Sequence, residues 1–205
     1  MKNKNSLILA AVFVLYAFVA LFTALGPSEK TLGGNIRFVL LHGAWVWTGI
    51  IGFALSGLTG LAALISKRGS LHRVSKALGM TSLFYWLTYL PMSLVVMQLN
   101  WNGLYLDEPR FRIPLVFGIA GLAIQIGLQV FNRPRLTSLI NAVFAAALIY
   151  NLNHISNVLH PDNPLFGSNA VHLQVSFIVL LFLSAASAVL LTLWLYRRDH
   201  TAPVQ

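Results

Sequence analysis

The stretch LILAAVFVLYAFVALFTAL, Leu7 to Leu25, carries nineteen residues without a charge and stops at Gly26 and Pro27. Crossing the hydrocarbon core of a bilayer as an α-helix takes about 20 apolar residues. The run is long enough for that, and longer than the apolar segment of an ordinary signal peptide, so it reads as a retained membrane anchor. Five further runs of the same kind follow. With the first, the expected spans lie at about 7–25, 38–65, 77–98, 113–131, 136–159 and 170–196.

Composition agrees with this reading of the spans. Of the 205 residues, 57% are hydrophobic and 9% charged, where a soluble domain carries about 25% charged residues. Six spans and short connections use nearly the whole length, so the expectation is an all-α, six-helix membrane bundle forming one domain over residues 1–205. Gly52, Ser56 and Gly60 recur every fourth residue in the second run, a small-residue seam against which another helix can pack closely.

The net charge of +9 follows the spans and forms no long basic stripe, which argues against a nucleic-acid partner. With the amino terminus inside, the inner segments hold Lys2, Lys4, Lys67, Arg68, Arg73, Lys76, Arg133, Arg135, Arg197 and Arg198. The outer loops hold only Lys30, Arg37, Arg110 and Arg112. Basic residues accumulate on the cytoplasmic side of membrane proteins, so both termini are expected in the cytoplasm, with the chain in the inner (plasma) membrane.

The same topology sorts the histidines. His72 and His200 fall inside; His42, His154, His160 and His172 fall on the outer side. Ionisable groups near hydrocarbon are costly and usually have partners, so an imidazole cluster at one face marks a candidate site. Asn153, Asn157 and His160 share one face at helical spacing, and Pro161 is expected to end the fifth helix at His160. Cysteine is absent, which excludes thiolate metal sites and covalent haem attachment through C-x-x-C-H. No zinc-binding H-E-x-x-H and no nucleophile, base and acid order stands out, so an enzyme is not the expectation.

Two neutral imidazoles on different helices at one depth meet the axial requirement of a six-coordinate haem iron. Trp45, Trp47, Trp101, Tyr105 and Phe111 could supply flat walls, and Arg37, Arg110 and Arg112 could pair with propionates.

These outer segments resemble the cytochrome c assembly membrane proteins, which include haem exporter protein C and the membrane subunit of cytochrome c synthase. That family carries an arginine, four residues, then His-Val-Pro-x-Ala-Trp after its first span. Arg37, His42 and Trp47 keep that spacing, with Gly43 and Ala44 in place of Val-Pro. A segment like Trp-Gly-x-x-Trp-x-Trp-Asp-Pro-Arg is matched by Trp101, Tyr105, Glu108, Pro109 and Arg110, with Asp107 in place of a tryptophan. A string like Trp-Asn-Thr-Leu-His-Gln is matched by Asn157, Leu159 and His160.

The resemblance implies a non-covalent, b-type haem held by His42 and His160 as axial ligands, with His154 and His172 as structural residues or alternative ligands. It also implies that the loop between spans three and four holds the macrocycle's exposed edge. The implied partners, besides the lipid bilayer, are other cytochrome c assembly proteins, a haem chaperone or an apocytochrome c. Two other readings stay open: a b-type cytochrome passing electrons, and a haem-free transporter or membrane-complex subunit.

Overall fold

The computed structural model describes residues 2–156, 165–167 and 169–199, and these form six helices: α1 (Lys2–Ala24), α2 (Ile36–Ser66), α3 (Gly69–Trp101), α4 (Pro109–Phe131), α5 (Pro134–Asn153) and α6 (Val171–Asp199). All six are long and apolar enough to cross a membrane. The chain is an all-α, six-helix membrane bundle. Because the helices alternate in direction, the start of α1 and the end of α6 lie at the same end of the bundle.

The helices outrun the hydropathy windows where polar turns continue the same backbone geometry. α3 begins at Gly69 instead of 77, adding two basic turns, and at about 1.5 Å per residue its 33 residues extend well beyond the hydrocarbon. The connections at this end are short. Lys67 and Asn132 close α2 and α4 in the left-handed region (φ 56° and 46°), and their backbone N–H groups donate to Ala63 O and Leu128 O.

α5 departs from the expected span, ending at Asn153 and not at 159. Its last polar side chains compete for the backbone: Asn151 Nδ2 donates to Ala147 O at 2.8 Å, and His154 Nδ1 bonds Tyr150 O at 2.7 Å. Of the expected stripe, Asn153 is the last residue of α5. Asn157 and His160 lie outside the described residues.

α2 is the hub, packing against α3, α5 and α6, while α1 lies mainly on α6 and α4 on α3 and α5. The expected seam makes these contacts. A Cβ at Gly60 would sit 2.6 Å from the Ser138 carbonyl oxygen of α5, and one at Gly57 would sit 2.8 Å from Ala145 Cβ. Ser56 and Ser75 bond reciprocally across α2 and α3: Ser56 Oγ donates to Ser75 O at 2.8 Å, and Ser75 Oγ donates to Ser56 O at 2.9 Å.

Small polar side chains share the interior with large apolar ones such as Phe53, Trp86 and Leu148, while many others, including Phe13, Phe18, Leu58, Ile119 and Phe182, face outward. In lipid that sorting is favoured, because hydrocarbon tails solvate leucine as well as a protein core does, while close backbone approach rewards small residues. Near α3 the interior turns aromatic. Trp45 Nε1 donates to Thr88 Oγ1, Trp86 Nε1 to Pro114 O, and the Tyr85 hydroxyl to Ser184 O.

The seam makes Gly60 intolerant of a methyl group, since the obstructing atom is backbone. Gly60→Ala is expected to lower the thermal midpoint in detergent, at a cost of roughly 1–3 kcal/mol. At Gly127 a Cβ would meet nothing within 4 Å, so Gly127→Ala should leave the midpoint unchanged or raise it slightly.

Candidate functional site

At the end of the bundle opposite the termini, the α1–α2 connection folds back on itself. Glu29 accepts hydrogen bonds from the backbone N–H of Thr31 and Leu32 at 2.9 and 3.0 Å, and Gly33 takes a left-handed φ of 54°. The Leu32 amide, followed by that of Thr31, holds the Glu29 carboxyl below the usual carboxylate range.

Arg37, in the first turn of α2, then reaches across this connection. Its Nη1 donates to Ala24 O at 2.7 Å and its Nε to Pro27 O at 3.2 Å. Both acceptors belong to carbonyls at or just past the end of α1, where intrahelical donors run out. Asn35 ties the same end to α3, its Nδ2 donating to Leu99 O at 3.0 Å.

His42 lies less than two turns into α2 and is half-buried against α3. Its ring sits 5.5 Å from the Tyr89 ring, and its Nδ1 lies 3.4 Å from Ser93 Oγ. Ser93 donates its one hydroxyl proton to Tyr89 O at 3.1 Å, which leaves its oxygen as an acceptor toward the imidazole. A neutral imidazole whose one nitrogen meets a hydroxyl has the chemistry of a metal ligand at the other. Beside it, the Tyr89 hydroxyl is buried and has no hydrogen-bond partner among the described residues.

The remaining predicted residues distribute unevenly. Trp45 turns inward, with its ring 4.7 Å from that of Tyr85, whereas Trp47 is 51% exposed. Trp101 meets Tyr105 edge to face at 5.7 Å in the α3–α4 connection. Glu108 is buried at the N-terminus of α4, where the Phe111 and Arg112 amides donate to its backbone carbonyl. Phe111 is buried, Arg110 is exposed and Arg112 is exposed on the same turn of α4. His154 stacks on Tyr150 at 4.2 Å, and His172 is exposed in the first turn of α6. No group of three or more His, Cys, Asp or Glu side chains placed to hold a metal occurs among the described residues.

A second polar cluster, not foreseen from the sequence, lies toward the end that carries the termini. Gln125 Nε2 donates to Asn141 Oδ1 at 3.0 Å, and Asn141 Nδ2 donates to Ser75 O and Oγ at 3.0 and 3.1 Å. His72 Nδ1 bonds Ser138 Oγ at 2.7 Å. The Gln125, Asn141 and Ser75 chain joins α4, α5 and α3, and the Ser56 and Ser75 pair extends it to α2. Gln125 and Asn141, isolated amides inside apolar runs, were the available signal. No atom of this network is buried without a partner, so it acts as interhelical glue.

No protein-family model matches the chain, and neither does any curated protein or solved structure.

The contacts of Arg37 and Asn141 give two expectations. Arg37→Ala removes a charged donor from two carbonyls and should destabilise the purified protein by roughly 1.5–3 kcal/mol in the absence of any ligand, read by thermal unfolding. Asn141→Leu breaks the bridge between Gln125 and Ser75 and should cost about 0.6–1.7 kcal/mol in the same measurement.

Proposed function

We propose that the chain is a haem-holding membrane protein of cytochrome c biogenesis, with His42 and His160 as the axial ligands of a non-covalent b-type haem. The observation that carries this reading is the setting of His42: a half-buried imidazole less than two turns into α2, with Nδ1 beside Ser93 Oγ and its ring against Tyr89. The orphaned Tyr89 hydroxyl is the test of fit. A buried phenol lacking a partner is costly, and a polar ligand group seated beside His42 would supply one.

In this reading, Trp47, Trp101 and Tyr105 supply the exposed aromatic surface around the ligand. Arg110 and Arg112 are the cations at the same end, since Arg37 is engaged with the end of α1. Ser93 acts through His42 by positioning its ring. Haem, when bound, contributes the iron centre and the propionates; the chain's own part is to hold it and shield one face of it from water. Glu108 and Asn157 belong to the proposed surroundings by motif alone, with His154 and His172 as alternative ligands.

The excess of basic residues at the end carrying the termini supports a plasma-membrane orientation with that end in the cytoplasm. Haem would then sit at the outer face, where a haem chaperone, an apocytochrome c or other cytochrome c assembly proteins could receive it. Electron transfer across the bilayer has less support. At the opposite end the described histidine is His72, and it is bonded to Ser138. The engagement of Arg37 and Trp45 in packing favours a second reading, a haem-free membrane-complex subunit.

An absorption spectrum of the purified protein, oxidised and then reduced, separates the two. The haem reading expects a Soret band with the sharp visible bands of bis-imidazole ligation, greatly weakened in His42→Ala and in His160→Ala. Absence of that band from protein purified after haem supplementation would leave the haem-free subunit standing.

A further inference from the structure

At the end of the bundle that carries the termini, α3 and α6 part around a cleft of about 310 Å³ whose lining includes Arg73, Lys76, Met80, Leu195, Arg198 and Asp199. Three of these side chains are cationic and one is acidic, so the cleft carries a net positive charge even with Lys76 Nζ paired to Asp199 Oδ1 at 2.6 Å. Aromatic faces hold both arginines: Arg73 lies 5.6 Å from the Tyr196 ring centroid, and Arg198 lies 5.4 Å from that of Trp194. Arg73 Nε is buried and has no hydrogen-bond partner among the described residues.

A second groove adjoins the first. It is also about 310 Å³, but its lining, which includes Val12, Phe13, Phe84, Met80, Leu191 and Leu195, is almost wholly apolar, and it opens between α1, α3 and α6. Met80 and Leu195 line both spaces, so the charged cleft and the apolar groove share a wall and lie end to end. The apolar part lies within the membrane-crossing lengths of these helices, and the charged part at their polar ends.

We propose that this paired cavity binds one anionic glycerophospholipid, its phosphodiester between Arg73, Lys76 and Arg198 and an acyl chain along the groove between α1, α3 and α6. The two halves of the cavity match the two halves of such a molecule. A free inorganic anion would use the cleft and leave the groove without an occupant, and a neutral lipid would leave the net charge of the cleft unmatched. Basic pockets between transmembrane helices recognise acidic headgroups by this combination of charge and adjoining apolar surface. Arg73 Nε supplies a donor that the phosphodiester would satisfy. The proposal does not depend on haem binding at the other end.

The test reconstitutes the full chain in phosphatidylcholine nanodiscs with or without a minority of phosphatidylglycerol, and measures co-purifying lipid by mass spectrometry alongside the thermal midpoint. Enrichment of phosphatidylglycerol around the protein, about thirtyfold for two net charges near a lipid surface, and a raised midpoint are expected. Inorganic phosphate added to the phosphatidylcholine discs should not raise the midpoint. Arg73→Gln with Arg198→Gln should reduce the enrichment toward unity, and Met80→Trp, which fills the junction, should reduce it with the charges intact. Equal retention of the two lipids by the wild-type chain would overturn the proposal even if every variant misfolded. Stabilisation by phosphate equal to that by phosphatidylglycerol would overturn it in favour of a simple anion site.

Discussion

Polar groups in hydrocarbon have no water to satisfy them, and most of this bundle follows from that constraint. Each unpaired donor or acceptor at membrane depth costs several kcal/mol. The chain meets the demand by turning its serines, asparagine and glutamine inward and joining them to carbonyls of neighbouring helices. Ser56 and Ser75 exchange hydroxyl-to-carbonyl bonds, and Asn141 extends the exchange to Ser75 and Gln125. Such bonds need the backbones close together, which is why glycines lie beside them. Gly60 admits the Ser138 carbonyl, and Gly79 faces the Asn141 amide.

Much of the fold was legible because hydropathy reports solvent, and solvent is the dominant constraint. The six spans and the Gly52, Ser56 and Gly60 seam follow from residue type and spacing alone. The end of α5 was not legible in this way. Hydropathy and Pro161 both suggested continuation to His160, whereas α5 ends at Asn153, with the Asn151 and His154 side chains bonded to carbonyls of its last turns, at a point where no proline stands. Local competition between side chain and ladder is a geometric matter that a sliding average of hydrophobicity does not register.

The candidate site was legible residue by residue but not as a set of roles. Trp45 and Trp47 are two positions apart, which on a helix places them about 200° apart, so one enters the aromatic interior and the other faces outward. Arg37 is adjacent in sequence to residues that could face a ligand, yet the nearest unsatisfied acceptors are the carbonyls where α1 ends, and the guanidinium goes there. The amide network was missed for the opposite reason. Gln125 and Asn141 are conspicuous in their runs, but their pairing depends on which helices are neighbours.

Toward the terminal end, the buried network between α2, α3, α4 and α5 is closed, each member paired with a neighbour, and a closed network holds helices in register. Beside His42, Ser93 lies at a long contact from the imidazole, and the Tyr89 hydroxyl is buried without a partner among the described residues. Gln125 and Asn141, toward the terminal ends of α4 and α5, are satisfied, whereas the Tyr89 hydroxyl, further along α3 from either of its ends, is not. The Tyr89 hydroxyl shares this condition with Tyr16 Oη, Arg73 Nε, Asn100 Oδ1 and Ser184 Oγ, which are also buried without a partner among the described residues, and each is an unmet demand that a bound molecule can satisfy.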